Sequence, residues 1–195
     1  HLFSVDEKTG IQALERFTSV APKSKGLTKR KDSEYKRNGT TCLMAALDVA
    51  TGKIPNKLLR ETRKEPDFLE FIITTVDLYP KEDKIIFIAD QLNTHLSESL
   101  VLYVAKLVDF KGDLGIKGKK GILKSMQSRK EFLENPAHRV RFVYTSKHCS
   151  WLNPIENWFA KVQRHVVKNG NFASVEQLVE KIDKYIGYFN RDLFK

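Results

Sequence analysis

The chain opens on an apolar-rich run, Leu2-Phe3-Ser4-Val5, which predicts a short strand running into Asp6-Glu7. A polar and basic stretch follows. Thr40 to Val49 is rich in β-branched and apolar residues and predicts a second strand. Ala50-Thr51-Gly52-Lys53 predicts a turn and Ile54 to Arg60 a returning strand, so this pair is expected as a hairpin. The apolar positions then change to helical spacing, with Phe68, Leu69, Ile72, Ile73 and Val76 predicting a helix over 67–76. Lys84 to Ala89 carries a continuous apolar run and predicts a buried strand ending on Asp90. Leu100, Val101, Val104 and Leu107 mark one face of a helix over 97–110, and Arg139 to Tyr144 predicts a further strand. Asn153 to about Lys168 predicts a helix with Ile155, Phe159, Val162 and Val166 inward. The last helix is expected from Ser174, with Gln177 as capping-box partner. Its buried stripe is Val175, Leu178, Val179, Ile182, Ile186 and Phe189.

The order of elements is α/β in character, with an antiparallel hairpin early and parallel crossovers later. In such folds, sites collect at the carboxyl ends of the strands. A length of 195 residues suits one domain with one core. A hydrophobic fraction of 41%, with twelve Phe, six Tyr and two Trp, supplies that core and excludes a disordered chain. No apolar run approaches the eighteen or so residues of a membrane span, and no signal-peptide pattern opens the chain. The chain begins on His1, as expected of a piece of something longer. Cys42 and Cys149 form no C-x-x-C pair and are expected as free thiols in a reducing cytosol.

Charge alters the picture. The net charge is +10, and it is concentrated: 23–37 is net +5 and 106–130 is net +6, which leaves the remainder near neutral. Two such stretches fit a polyanion-binding surface, and equally a pair of solvated basic loops. The second contains Gly112, Gly115, Gly118 and Gly121 without collagen's prolines, so it is expected as a basic loop.

The candidate chemistry rests on carboxylates. Asp6 and Asp90 each close an apolar strand. If those strands are parallel neighbours, both side chains emerge at one end of the sheet, as hard oxygen ligands suited to magnesium or manganese. Two such ions can activate the attacking oxygen and stabilise the leaving one in phosphoryl displacement. Taken singly, each Asp is more often structural, capping the turn after its strand. A third carboxylate must come from elsewhere, and Glu156 in Ser150-Trp151-Leu152-Asn153-Pro154-Ile155-Glu156 is the candidate. Local grounds favour another role for it: Asn153 as N-cap, Pro154 at the first helical position and Glu156 as the returning member of a capping box. Glu7, Asp48, Asp77 and Glu82 carry no comparable context.

Several segments together resemble a known family. Ile86-Phe87-Ile88-Ala89-Asp90-Gln91-Leu92-Asn93-Thr94-His95, followed by Tyr144-Thr145-Ser146-Lys147-His148-Cys149 and the Ser150–Glu156 run, resembles the DDE transposases of the mariner-like superfamily, in the bacterial insertion-sequence branch. Phe3-Ser4-Val5-Asp6-Glu7, Tyr35-Lys36-Arg37-Asn38-Gly39-Thr40 and Leu47-Asp48-Val49-Ala50-Thr51-Gly52 match further segments in the same order. The resemblance implies a ribonuclease H-like fold, a five-stranded mixed sheet flanked by helices. It implies that Asp6, Asp90 and Glu156 are the metal-binding catalytic carboxylates, with two Mg²⁺ or Mn²⁺ ions. It implies cleavage at transposon ends and attack of the freed 3′-hydroxyl on target DNA, by a homodimer in a prokaryotic cytoplasm, associated with the nucleoid when bound to DNA. A ribonuclease H-fold nuclease without strand transfer, or an inactive DNA-binding relic, are the competing readings.

Two departures stand out. Sixty-six positions separate Asp90 from Glu156, and the excess, about 106–135, resembles an insertion. No helix-turn-helix region fits before His1, so residues 1–195 are expected to be the catalytic domain alone. Of the supporting residues, His95 and His148 lack a partner at zinc-ligand spacing and are expected to position phosphate or water. Asn93 is expected to orient Asp90 or touch the DNA backbone. Lys147 fits a phosphate contact. Trp151 fits stacking on a base, or plain core. Trp158 and Phe159 are expected in the core, and Arg164 with Lys168 on an extended basic face.

Overall fold

A computed structural model describes residues 1–16, 19–20, 30–31, 34–146 and 149–192. Lys147, His148 and most of the first basic stretch lie outside the described residues. Strands β1 (Leu2–Arg16), β4 (Tyr35–Asp48), β5 (Asn56–Arg60), β6 (Ile85–Ala89) and β7 (Val140–Tyr144) form one sheet in the order β5-β4-β1-β6-β7. β4 pairs antiparallel with both β1 and β5, while β1–β6 and β6–β7 are parallel. Two short strands, β2 (Ser19–Val20) and β3 (Arg30–Lys31), pair separately. The helices are α1 (Glu65–Val76), α2 (Glu98–Leu107), α3 (Met126–Leu133), α4 (Ile155–Val162) and α5 (Val175–Asp192). This is the expected α/β architecture, a five-stranded mixed sheet flanked by helices.

Strand alternation assigns the two faces. Phe3, Val5, Met44, Ala46, Phe87 and Phe142 point to one side and pack with Phe68, Phe71 and Ile72 of α1 and Leu100, Val101 and Val104 of α2. Ile11, Ala13, Leu43 and Ala45 point to the other, against Ile155, Phe159 and Val162 of α4 and Leu178, Ile182 and Ile186 of α5. A sheet covered on both faces accounts for the near-continuous apolar run of β6.

Four expectations need correction. β1 does not stop near Asp6 but runs on to Arg16, paired with β4 up to Tyr35, and the alternating Ile11 and Ala13 were its signal. The strand absorbs the polar residues between with register shifts between Lys8 and Ile11 and between Gln12 and Leu14. The segment 106–135 is not all loop: it contains α3, started by the Ser125 hydroxyl, which accepts from Ser128 N–H. Buried Arg129 ties α3 inward, donating from Nε to Leu96 O at 2.6 Å and from Nη1 to Leu123 O at 3.1 Å. Of the glycines there, Gly115 (φ +87°) is obligatory, because a Cβ would lie 2.0 Å from Lys120 O. Leu107, expected inward, is exposed at the last turn of α2, and Ala105 takes the buried position. The helix after Pro154 is α only to Val162 and continues as a π turn over Gln163–Val167, a one-residue bulge that keeps Val166 on the buried face.

Candidate active site

Parallel register brings the two aspartates level. Leu2, Phe3 and Ser4 pair with Ile86, Phe87 and Ile88, so two steps further on Asp6 stands opposite Asp90. β6 ends at Ala89 while β1 continues along β4, with Asp6 paired to Ala45. Asp6 is therefore not a strand end, as expected, but sits in mid-strand where its parallel neighbour stops. At this level ligand oxygens of Asp6 and Asp90 lie within 4.8 Å of each other.

Asp6 is buried. Its Oδ1 accepts from Glu7 N–H at 2.8 Å and its Oδ2 from Asn153 Nδ2 at 3.3 Å. Burial pushes its carboxyl up to about 7, and neither the Glu7 N–H nor the charge of His95 brings it back to the ordinary range. Asp90 is half-buried and is held low, chiefly by its bond from His95, helped by Leu92 N–H at 3.0 Å. His95, fully buried on the 3₁₀ turn Asn93–Leu96, lies with Nδ1 2.7 Å from Asp90 Oδ1 and Nε2 2.8 Å from Glu7 Oε2. Burial disfavours its charge, but the bonds to Asp90 and Glu7 outweigh this and raise it to about 10.

Ligand atoms of Asp6, Asp90 and His95 all lie within 4.8 Å of one another. Both ring nitrogens of His95 are turned to carboxylates, which leaves it no lone pair for a cation; it serves as the clamp on Asp90, and the carboxylates are the groups that could hold an ion. A buried carboxylate unable to ionise cheaply, beside a second one, is a donor set that a hard divalent cation completes. The site residues fit such an ion.

Glu156 is exposed in the first turn of α4 and lies outside this close cluster. The expected capping box is absent. Asn153 does not cap the helix, because its side chain is fully buried against β1. Its Nδ2 donates to Val5 O at 2.9 Å as well as to Asp6, its Oδ1 accepts from the Ser4 hydroxyl, and Ser4 Oγ accepts from Ile155 N–H at 2.9 Å. This bolt docks the start of α4, and with it the turn carrying Glu156, beside Asp6. Asn153→Ala is expected to cost ~2–4 kcal/mol, since it strips three bonds from a buried site. A urea unfolding midpoint measures this, and a loss below ~1 kcal/mol would mean that α4 docks without the bolt.

The other expected residues divide. Asn93 is exposed and has no bond to Asp90; His95, two residues on, orients that carboxylate instead. Trp151 is 70% exposed rather than core, and its neighbour Leu152 is exposed too. Trp158 and Phe159 are core, as expected. Arg164 is exposed on the π turn. Glu7 and Ser4 are the residues the sequence reading passed over. The available signal was a run of alternating polar residues inside an apolar strand.

A profile of the DDE superfamily endonucleases matches residues 1–179. The chain belongs to this family. In this member of the DDE superfamily endonucleases, Asp6 and the residue after β6, Asp90, lie on adjacent parallel strands, which meets the condition set for them in the sequence. Among solved structures, the Mos1 mariner paired end complex with Mn is similar at a TM-score of 0.58 and 14% identity, over 95% of this chain and 48% of that one. That likeness makes the fold ribonuclease H-like. This chain spans about half the length of the Mos1 chain. The mariner Mos1 paired end complex with Mg aligns over 100% of this chain and 56% of that one at 14% identity, with a TM-score of 0.33 too low to carry an argument. No curated protein matches. Among the described residues no helix is long and apolar enough to cross a membrane.

Proposed function

We propose that this DDE endonuclease is the catalytic domain of a transposase, which nicks DNA at element ends and joins the freed 3′-hydroxyl to target DNA. The observation that carries the reading is the level pair of Asp6 and Asp90, one buried, the other clamped by His95. Asp6, Asp90 and Glu156 are the three carboxylates that would hold two Mg²⁺ or Mn²⁺ ions. Such ions polarise the phosphoryl oxygens and lower the pKa of the attacking water or hydroxyl. The chain's own residues do the rest. Asp6 is held by a rigid mid-sheet strand. Asn153 seats the helix that carries Glu156. His95 fixes the direction of Asp90 and keeps it ionised. Preorganised charge of this kind is what phosphoryl transfer requires.

The DNA runs past the same carboxylates. Trp151 offers an exposed ring for stacking on a base, at the turn leading into Asn153. Arg164, the basic segment 106–135 and exposed Asn93 supply contacts to the DNA backbone. Lys147 and His148 keep the phosphate-positioning role read from their motif. We place the working form as a homodimer on paired ends, in a prokaryotic cytoplasm, with terminal-repeat recognition by a separate helix-turn-helix region.

Incubating the protein with end-containing DNA and Mg²⁺ tests the reading. Joined products support transposition, nicks alone point to a nuclease without strand transfer, and neither points to a DNA-binding relic. Binding itself should be salt-sensitive. Four neutralised phosphates give a slope of about −3.6 in log K against log salt, or roughly a hundredfold loss between ~50 and ~200 mM. Salt-independent binding in a mobility-shift assay would count against it.

A further inference from the structure

Glu7 follows Asp6 on β1, so its side chain turns to the opposite face of the sheet. There its carboxylate is only 3% exposed, and Oε2 lies 2.8 Å from His95 Nε2. The other ring nitrogen of His95 lies 2.7 Å from Asp90 Oδ1. Both neighbours of the ring are carboxylates, which only accept, so the ring donates from both nitrogens. The rest of His95 is equally constrained. Phe68 packs on the ring with centroids 4.2 Å apart, and the Tyr144 hydroxyl donates to the His95 carbonyl at 2.7 Å.

Glu7 itself is poorly served. Its second oxygen, Oε1, is buried without a hydrogen bond, with Arg63 Nη1 3.6 Å away. Burying a carboxylate with one oxygen unbonded is a cost that an apolar side chain would avoid. Stability alone therefore does not account for Glu7. Nor can it touch DNA, because His95 lies between it and Asp90. What it does touch is the clamp on a proposed metal ligand.

We propose that Glu7 is a positioning residue, which holds the His95 ring in the orientation that aims Asp90 into line with Asp6 for a divalent cation. The link runs from β1 through His95 to Asp90, just past the end of β6, and joins the two acidic strands independently of their backbone pairing. The inference rests on reading Asp6 and Asp90 as metal ligands.

The test is a Mn²⁺ titration of the metal-free 195-residue chain, followed by electron paramagnetic resonance, for the native protein, Glu7→Gln and Glu7→Leu. The Gln side-chain oxygen still accepts from His95 Nε2–H and keeps the ring in place, while Leu removes the bond. Glu7→Leu is expected to bind Mn²⁺ at least about tenfold more weakly, the effect of losing a group that orients a ligand. Glu7→Gln is expected to stay within about threefold. A folded Glu7→Leu variant with native affinity overturns the proposal, as does a Glu7→Gln variant as weak as Glu7→Leu. Should Glu7→Leu not fold, nitrogen-15 spectra of the native histidines decide: two slowly exchanging ring N–H signals from His95 are expected, and a single one overturns it. A native chain that binds no Mn²⁺ sinks the metal-site reading, whereas the ring signals test the Glu7 contact by themselves.

Discussion

Asp6→Asn is expected to abolish DNA cleavage and at the same time to stabilise the metal-free protein. The two effects have one cause. Burial raises the Asp6 carboxyl to about 7, which means the fold resists its charge. The unfolded chain releases that proton near pH 4, whereas the folded protein holds it until about pH 7. Metal-free stability therefore falls as pH rises from about 4 to 7, then levels off. Asparagine does not titrate, so the advantage of the variant grows across that window to ~2–4 kcal/mol at pH 8, after allowing for its altered contact with Asn153. Saturating Mn²⁺ should reverse the order, because only the native protein gains the free energy of binding. Thermal melts at pH 5 and pH 8, with and without Mn²⁺, check all of this. A variant less stable than the native protein at pH 8 without metal would show that the Asp6 charge is already compensated.

The second large effect is on Glu156. Glu156→Gln is expected to lower cleavage by about a thousandfold or more, the ~4 kcal/mol scale of losing a metal ligand in phosphoryl transfer. Stability should barely move. The carboxylate is exposed, and among the described residues no hydrogen bond or ion pair reaches it, so its replacement falls in the range of ordinary surface changes, within ~0.5 kcal/mol. DNA binding should also stay near native. The contrast with Asp6→Asn separates a buried charge that strains the fold from an exposed one that does not. A Glu156→Gln protein that still cuts DNA would show that the third carboxylate lies elsewhere. A large fall in its melting temperature would show that the side chain has the structural task which its sequence position suggested.

Glu156 also shows how far local reasoning reached. Asn-Pro-x-Glu before an apolar helix satisfies every rule for a capping box, yet the box does not form. Asn153 is drawn instead to Ser4, Val5 and Asp6, partners about 150 positions away in sequence. A cap is a contest between local and distant hydrogen bonds, and burial against a sheet strengthened the distant ones. Trp151 was open between core and surface for a similar reason: a large aromatic before a helix has no periodicity to place it. His95, expected to position phosphate or water, is instead fully buried with both ring nitrogens held by Asp90 and Glu7, and Glu7 carried no signal of that pairing in the sequence. Pairing a buried histidine with two carboxylates depends on which faces of β1 and of the turn after β6 meet.

The pattern of apolar positions was enough for most element types, the hairpin and both helical stripes of the second layer, and it placed the two aspartates at one level on the condition that their strands were parallel neighbours, which the fold met. These follow from periods of two and 3.6 and from the parallel pairing of strands. The tertiary structure alone decided that β1 passes Asp6 and runs to Arg16, that α3 is pinned by Arg129, and which side chains meet Asp6 and Asp90. Those outcomes depend on register and long-range burial, where one buried polar atom must find a partner wherever the fold provides it.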